Sequence, residues 1–182
     1  MSTFCFSSIV STRSFIYVLY NGIVVKDAAK IIRLEEIESF KIRLQGKKTV
    51  LVGGCFDLVH YGHFAFLKKA TEAGDYLIIA LESDESILIH KKRRPVHTQR
   101  ERAEILASFR FVDMVILLPY LSSDQEYDEF VKKVRPDIIA VTSNDIQIKN
   151  KKRQAGSVIG ELKIVTPLLR DFSTKKIIDA LL

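Results

Sequence analysis

The sequence has few cysteines and no long apolar run. Cys5 and Cys55 are the only cysteines among 182 residues, so the chain can build neither a disulfide framework nor a cysteine zinc site. No stretch reaches the ~20 apolar residues of a membrane-spanning helix. The longest candidate, residues 15–25, is interrupted by Asn21 and Gly22. We therefore expect a cytoplasmic protein in a reducing compartment, without a membrane span.

Acidic residues are absent from the first 26 positions, which hold five serines, Arg13 and Lys26. This composition resembles that of a targeting segment, although two basic residues are weak support for one. The alternating apolar residues around the Asn-Gly pair fit a short hairpin equally well. Both interpretations stay open at this stage.

The net charge is modestly positive, since 28 Lys and Arg exceed 22 Asp and Glu by six. Much of the excess falls in two basic runs, residues 90–100 and 149–154. Such runs bind phosphorylated small molecules, nucleic acid or membranes, or they are solvated loop faces. The sequence lacks both an aromatic stacking pattern and a helix-turn-helix signal, so nucleic acid is not an expected partner.

From residue 48 onward, strand-like and helix-like segments alternate. This rhythm predicts the α/β class, with a Rossmann-like open parallel sheet and helices on both faces. Residues 46–182 would form this domain, and residues 1–45 an extension whose segment 34–44 is a leading amphipathic helix. The predicted strands are 48–54, 75–82, 112–118, 136–142 and 162–168; the predicted helices are 63–74, 98–107, 123–134 and 173–182.

The most informative stretch is "GGCFDLVHYGHFAFL" at 53–67, where the first strand runs into the first helix. Ligands of open parallel sheets bind at this edge, and a helix N-terminus favours an anion. His60 and His63 can donate hydrogen bonds to phosphate oxygens, while Gly62 leaves room between them. One histidine near a helix start is more often structural, but two in this pattern favour a phosphate site.

This stretch resembles the "GxFDxxHxGHxxxL" signature of the cytidylyltransferase-like nucleotidyltransferases. The resemblance continues through "RRPVHTQRERAEILASFRFVDMVI" (93–116) and "FSTKKII" (172–178), and covers roughly residues 34–182. Within the family, "LQGKKTVLVGGCFDLVHYGH" is most similar to the heptose-1-phosphate adenylyltransferase branch. Glycerol-3-phosphate cytidylyltransferase and archaeal FAD synthase are near neighbours that share the same blocks.

The resemblance implies an enzyme that moves a nucleoside monophosphate from ATP or CTP, with Mg²⁺, to a phosphorylated small molecule and releases pyrophosphate. Its members are often homodimers, and none of their metal ligands can be assigned to this sequence. The implied catalytic residues are His60 and His63, with Lys91 and Lys92 in a flexible cationic loop that closes over the transferring group. The implied nucleotide-binding residues are Gly54, Cys55, Phe56, Tyr61, Gly62, Asp145, Ser173 and Thr174.

Two departures from the adenylyltransferase branch bear on the substrates. The branch has Lys-Gly-Gly-Asp after its fourth strand, where this chain has "VTSND" (141–145), and it has Gly where this chain has Phe172. Both segments lie where the acceptor or the nucleobase would be read, so the acceptor stays open. The leading expectation, which rests on the resemblance to the adenylyltransferase branch, is transfer of AMP to a phosphorylated sugar or similar molecule. The alternatives are transfer of CMP to a polyol or amino-alcohol phosphate, and a non-catalytic nucleotide-binding module. The expected base readers are Ser143–Asp145 and Thr166–Leu169.

Overall fold

The computed structural model describes residues 9–12, 15–20, 23–25, 30–167 and 172–181. Near the N-terminus, three strands form an antiparallel sheet in the order β1-β2-β3: β1 (Ile9–Thr12), β2 (Phe15–Tyr20) and β3 (Ile23–Val25). Tyr20 pairs with Ile23, so the strands on either side of residues 21–22 form the hairpin that the Asn-Gly pair allows. Residues 21–22 themselves, and the serine-rich residues 1–8, lie outside the described part.

The central element is a six-stranded parallel sheet in the order β4-β7-β6-β5-β8-β9. Its strands are β4 (Ile31–Arg33), β5 (Thr49–Gly54), β6 (Tyr76–Leu81), β7 (Met114–Leu117), β8 (Ile138–Thr142) and β9 (Glu161–Thr166). Five of these match the predicted strands to within a few residues. The edge strand β4 lies within residues 1–45, so the sheet includes one strand of the segment that the sequence set apart.

Helices cover both faces of this sheet, as predicted. Their bounds are α1 (Ile37–Phe40), α2 (Tyr61–Thr71), α3 (Asp84–Lys91), α4 (Gln99–Ala107), α5 (Asp124–Val134), α6 (Ile148–Ser157) and α7 (Thr174–Leu181). Successive residues of a strand point to opposite faces. Accordingly Leu51 packs with α1, α5 and α6 in one apolar cluster, and Val50 and Val52 pack with α2 and α4 in the other. No helix in the described part of the chain is long and apolar enough to cross a membrane.

Capping boxes begin α4 and α5, at the positions where the sequence predicts these helices to start. Thr98 accepts a hydrogen bond from the Glu101 N–H, and Ser123 accepts one from the Glu126 N–H, while each glutamate side chain returns to the capping residue. Side-chain oxygens satisfy N–H groups that the first turn of a helix leaves unpaired, which fixes where α4 and α5 begin. Ser173 likewise accepts a hydrogen bond from the Lys176 N–H at the start of α7.

Two local predictions were wrong. Segment 34–44 is not one amphipathic helix but a short helix, α1, between two 3-10 turns, Leu34–Glu36 and Lys41–Leu44. Helix α2 ends at Thr71, before the predicted end at Gly74. A Cβ at Gly74 would lie 2.4 Å from the Lys48 carbonyl oxygen, so this glycine allows a close approach to the chain before β5.

The basic runs are more regular than expected. The segment containing Lys91 was predicted as a flexible loop, but Lys91 is the last residue of helix α3. This helix begins after Ser83, whose side chain accepts a hydrogen bond from the Ser86 N–H. Lys92 follows in a left-handed conformation that ends the helix. The run 149–154 lies in α6, where Lys151 pairs with Asp145 and Arg153 pairs with Asp128.

Candidate functional site

A large cavity opens at the carboxyl edge of the sheet. Its volume is about 1150 Å³, and it is lined by the ends of β5, β6, β8 and β9 and by the beginnings of α2 and α7. The chain proceeds from β5 outward to β6 and β7, then returns to add β8 on the other side of β5. This change of direction between β5 and β8 is where open parallel sheets bind ligands.

The loop between β5 and α2, residues 55–60, is called the histidine loop here, and its backbone is strained. Phe56 and Leu58 have φ angles of 47° and 54°, in the left-handed region that non-glycine residues occupy at a cost of about 1–2 kcal/mol. Gly54 makes this shape possible, since a Cβ there would lie 3.0 Å from the Phe56 ring. Such strain is typical of loops that hold a ligand.

The two histidines lie together at the start of α2. His60 is the capping residue, and its Nδ1 accepts the His63 N–H at 3.4 Å. The two imidazoles stack with their centroids 3.8 Å apart and an angle of 18° between the rings. Gly62 is needed for this arrangement, because a Cβ there would lie 3.1 Å from the His60 ring and 3.1 Å from the Phe172 Cβ. The space left by Gly62 is therefore occupied by these two side chains.

Burial favours the neutral form of both imidazoles. Burial lowers the pKa of His63 to about 4, with a further lowering by His60, and burial also lowers the pKa of His60. Because Nδ1 of His60 accepts a hydrogen bond, its proton is on Nε2. Nδ1 of His63 is buried and has no partner among the described residues, so its proton is also expected on Nε2. Each ring thus has one N–H donor for an anion in the cavity.

Asp57 connects this loop to two other segments. Its carboxylate, almost completely buried, accepts hydrogen bonds from the Arg93 side chain at 2.6 Å and from the Val96 and His97 N–H groups. Its main-chain oxygen accepts the Thr174 hydroxyl at 2.6 Å. Burial raises the pKa of Asp57, but these hydrogen bonds outweigh burial and hold the pKa below its usual value. Asp57 therefore fixes the basic segment, which we define as residues 90–97, and the start of α7 against the histidine loop.

Arg102, on α4, also holds the histidine loop in place. Its side chain is fully buried and donates hydrogen bonds to the main-chain oxygens of Cys55, Glu82 and His97 and to the Asp84 carboxylate. Its complete burial is unusual for an arginine on a helix and shows that it is not a solvated surface residue. The three carbonyl acceptors belong to separate segments, after β5, after β6 and before α4. Their spacing in the sequence therefore does not predict these hydrogen bonds.

The basic segment contributes different residues than expected. Lys91 lines the cavity together with Arg93, whereas Lys92 is not among the lining residues. Cys55 and Glu82 line the same cavity; burial and the Glu82 charge raise the pKa of the Cys55 thiol, and the Lys91 charge lowers it. The geometry therefore favours Lys91 over Lys92 as the lysine that meets a ligand.

The remaining predicted residues come from the segment after β8 and from the start of α7. Asp145, Ser173 and Thr174 all line the cavity, and the Ser143 N–H bonds to the Thr166 carbonyl oxygen, which joins the two expected base-reading segments. Residues 168–171, including Leu169, lie outside the described part. Tyr61 does not line the cavity; it packs on the Phe172 ring, with centroids 5.2 Å apart.

A metal cage is not built from the described residues: no group of three or more His, Cys, Asp or Glu side chains is placed to hold an ion. Magnesium usually retains water and binds through substrate phosphates and one or two carboxylates. An ion held in that way needs no protein cage of this kind.

Comparison with known proteins shows which family the chain resembles. The family model described as Cytidylyltransferase-like matches residues 51–178. The chain is 33% identical to the bifunctional protein HldE of Desulfatibacillum aliphaticivorans over 82% of this chain and 30% of that protein. It is 43% identical to the FAD synthase of Thermococcus kodakarensis over 52% of this chain and 62% of that protein. The chain therefore spans less than two thirds of the length of either relative.

A solved structure with the same fold is the lipopolysaccharide core biosynthesis protein of Thermoplasma volcanium. The TM-score is 0.55 at 24% identity, over 67% of this chain and 97% of that one. The histidine loop, the cavity at the β5–β8 change of direction and the family match over most of the chain agree: this protein belongs to the cytidylyltransferase-like family.

Proposed function

We propose that this chain transfers AMP from ATP to a phosphorylated small molecule and releases pyrophosphate. The observation that carries this proposal is the stacked pair His60 and His63, which lines the same cavity as the N-terminus of α7. Helix N-termini and neutral imidazole donors both favour phosphate oxygens. The similarity to the adenylyltransferase branch and to FAD synthase supports ATP as the nucleotide.

The reaction is an in-line displacement. A phosphate oxygen of the acceptor forms a bond to the α-phosphorus, and the bond from that phosphorus to the bridging oxygen breaks as pyrophosphate leaves. Catalysis then requires positioning and stabilisation of negative charge rather than a protein nucleophile. His60 and His63 donate to the α-phosphate and bridging oxygens, and Lys91 and Arg93 supply positive charge. Cys55 serves as a small packing residue, since its raised pKa keeps the thiol protonated.

The decisive assay measures pyrophosphate release with ATP or CTP, Mg²⁺ and a panel of sugar and polyol phosphates. We expect ATP to exceed CTP in kcat/KM by at least about tenfold, or ~1.4 kcal/mol, because a site that hydrogen-bonds one base leaves its own polar groups unpaired with the other. Equal or reversed preference would assign the protein to cytidylyl transfer. Binding of nucleotide without pyrophosphate release from either triphosphate would favour a non-catalytic module.

A further inference from the structure

Phe172 lies over the first turn of α2, next to the histidine pair. A Cβ at Gly62 would lie 3.1 Å from ring atoms of His60 and 3.1 Å from the Phe172 Cβ. These two side chains therefore face each other across the space of one missing Cβ. The Phe172 ring packs on Tyr61, with centroids 5.2 Å apart and 56° between the rings, which is within the range of favourable aromatic pairs.

The other measured contacts of the His60 ring hold it only loosely. Its Nδ1 accepts the His63 N–H at 3.4 Å, which is longer than usual for a hydrogen bond from an N–H group. The His63 imidazole stacks on it with centroids 3.8 Å apart. The edge of the His60 ring formed by Nδ1 and Cε1 faces the space at Gly62. Phe172 therefore stands where that edge would move if the ring turned away from His63.

The start of α7 holds Phe172 itself in place. Ser173, the next residue, accepts a hydrogen bond from the Lys176 N–H at 3.2 Å. The Thr174 hydroxyl donates to the main-chain oxygen of Asp57 at 2.6 Å, which joins this helix start to the histidine loop. Phe172 is thus fixed by Tyr61 on one side and by the anchored helix on the other. The position of α7 is in this way passed on to the His60 ring.

We infer that Phe172 is a positioning residue, which holds the His60 imidazole against His63 in the orientation that directs its Nε2–H to an anion in the cavity. This inference rests on the proposed function. Because Phe172 acts through His60, its effect on ligand binding should vanish when His60 is removed. A residue that only stabilised the fold, or that contacted the ligand itself, would keep its effect without His60.

The test applies two measurements to the full chain. Calorimetry gives the affinity for Mg²⁺ with an ATP analogue whose β–γ bridge cannot be hydrolysed, in the absence of an acceptor. Nuclear magnetic resonance gives the nitrogen chemical shifts of the His60 ring. The variants are Phe172→Ala, Phe172→Leu, His60→Ala and the double variant with alanine at both positions. The matched control is Phe64→Ala, which removes a ring of α2 with similar exposure, 37% against 41%, that does not line the cavity.

We expect His60→Ala to weaken binding of the analogue by about 10–100-fold, and Phe172→Ala by about 3–10-fold, because the hydrogen bond to a charged group is lost in the first variant and misdirected in the second. In the His60→Ala background, Phe172→Ala should change binding by less than about twofold.

The nitrogen shifts of His60 should report the same change. In the unaltered chain they should show the proton on Nε2, and in Phe172→Ala they should move toward the average of the two tautomers, because a ring that turns loses the hydrogen bond to Nδ1. Phe172→Leu retains an apolar contact for Tyr61, so it should keep the shifts and the affinity of the unaltered chain. Phe64→Ala should change neither.

Other outcomes overturn the inference. If Phe172→Ala causes the same loss with and without His60, or leaves the His60 shifts unchanged, Phe172 does not act through His60, and the proposed function stands. A loss in Phe64→Ala as large as that in Phe172→Ala would reduce the effect to a general loss of apolar packing. If the analogue does not bind to the unaltered chain, the proposed function fails and the inference fails with it.

Discussion

Arg102 offers the sharpest test of how the site is held together. Its fully buried guanidinium satisfies the carbonyl oxygens of Cys55, Glu82 and His97, and the change Arg102→Met retains the apolar stem while removing all of these donors. A buried acceptor left unsatisfied costs about 1–3 kcal/mol, and breaking a buried ion pair costs about 3–5 kcal/mol. Because Asp84 is partly exposed and the cavity admits water near Cys55, we expect a total loss of ~3–5 kcal/mol in the free energy of unfolding.

The control is Arg100→Met on the same helix. Arg100 is partly exposed and pairs with Glu104 one turn away, an interaction worth about 0.3–0.5 kcal/mol. Urea unfolding followed by circular dichroism gives the free energy of unfolding for both variants. A loss of less than ~1 kcal/mol in the free energy of unfolding for Arg102→Met, or equal losses in the two variants, would refute the view that Arg102 anchors the histidine loop.

Two further predictions concern His63 and the basic segment. The folded protein holds the pKa of His63 at about 4, against 6.5 for the unperturbed side chain. The unfolded chain therefore binds a proton first as pH falls, and stability should decline between about pH 6.5 and 4. Denaturant titrations across that window should show a smaller decline for His63→Gln, and an identical decline would contradict the neutral, buried imidazole. Separately, amide hydrogen exchange across 92–94 should slow on addition of an ATP analogue and Mg²⁺, because this stretch beyond α3 lies next to the cavity, whereas the Val96 and His97 N–H groups already donate to Asp57. Exchange that is unchanged by nucleotide would make this segment a solvated surface only.

Sequence patterns predicted the parts of the fold that depend on local chemistry. A short apolar run ending in two glycines predicted β5, and the side chains of Thr98 and Ser123 predicted the starts of α4 and α5. The histidine pair predicted the position of the site, because a strand–loop–helix unit in a parallel sheet directs its loop to the ligand-binding edge. These features need only residues that are near one another in the chain.

Features that depend on tertiary contacts were not predictable. Strand β4 has three residues and exists because it pairs with β7, more than 80 positions later. Helix α3 was missed because its periodicity is weak and the signal was the single capping residue Ser83. Likewise Arg102 on α4 and Tyr127 on α5 form hydrogen bonds with residues that follow β5 or β6, at least 20 positions away in the chain.

We propose that the protein transfers a nucleotidyl group at the histidine loop, and isotope tracing tests this proposal most directly. ATP labelled at the α-phosphorus or the γ-phosphorus is incubated with Mg²⁺ and each acceptor phosphate, with the unaltered chain, His60→Ala and His63→Ala. We predict that the α label enters the acceptor product, that the γ label appears in pyrophosphate, and that each alanine variant slows transfer by about 10²–10⁴-fold while keeping its fold. Transfer of the γ label to the acceptor, its release as orthophosphate, or normal turnover in both alanine variants would contradict this account.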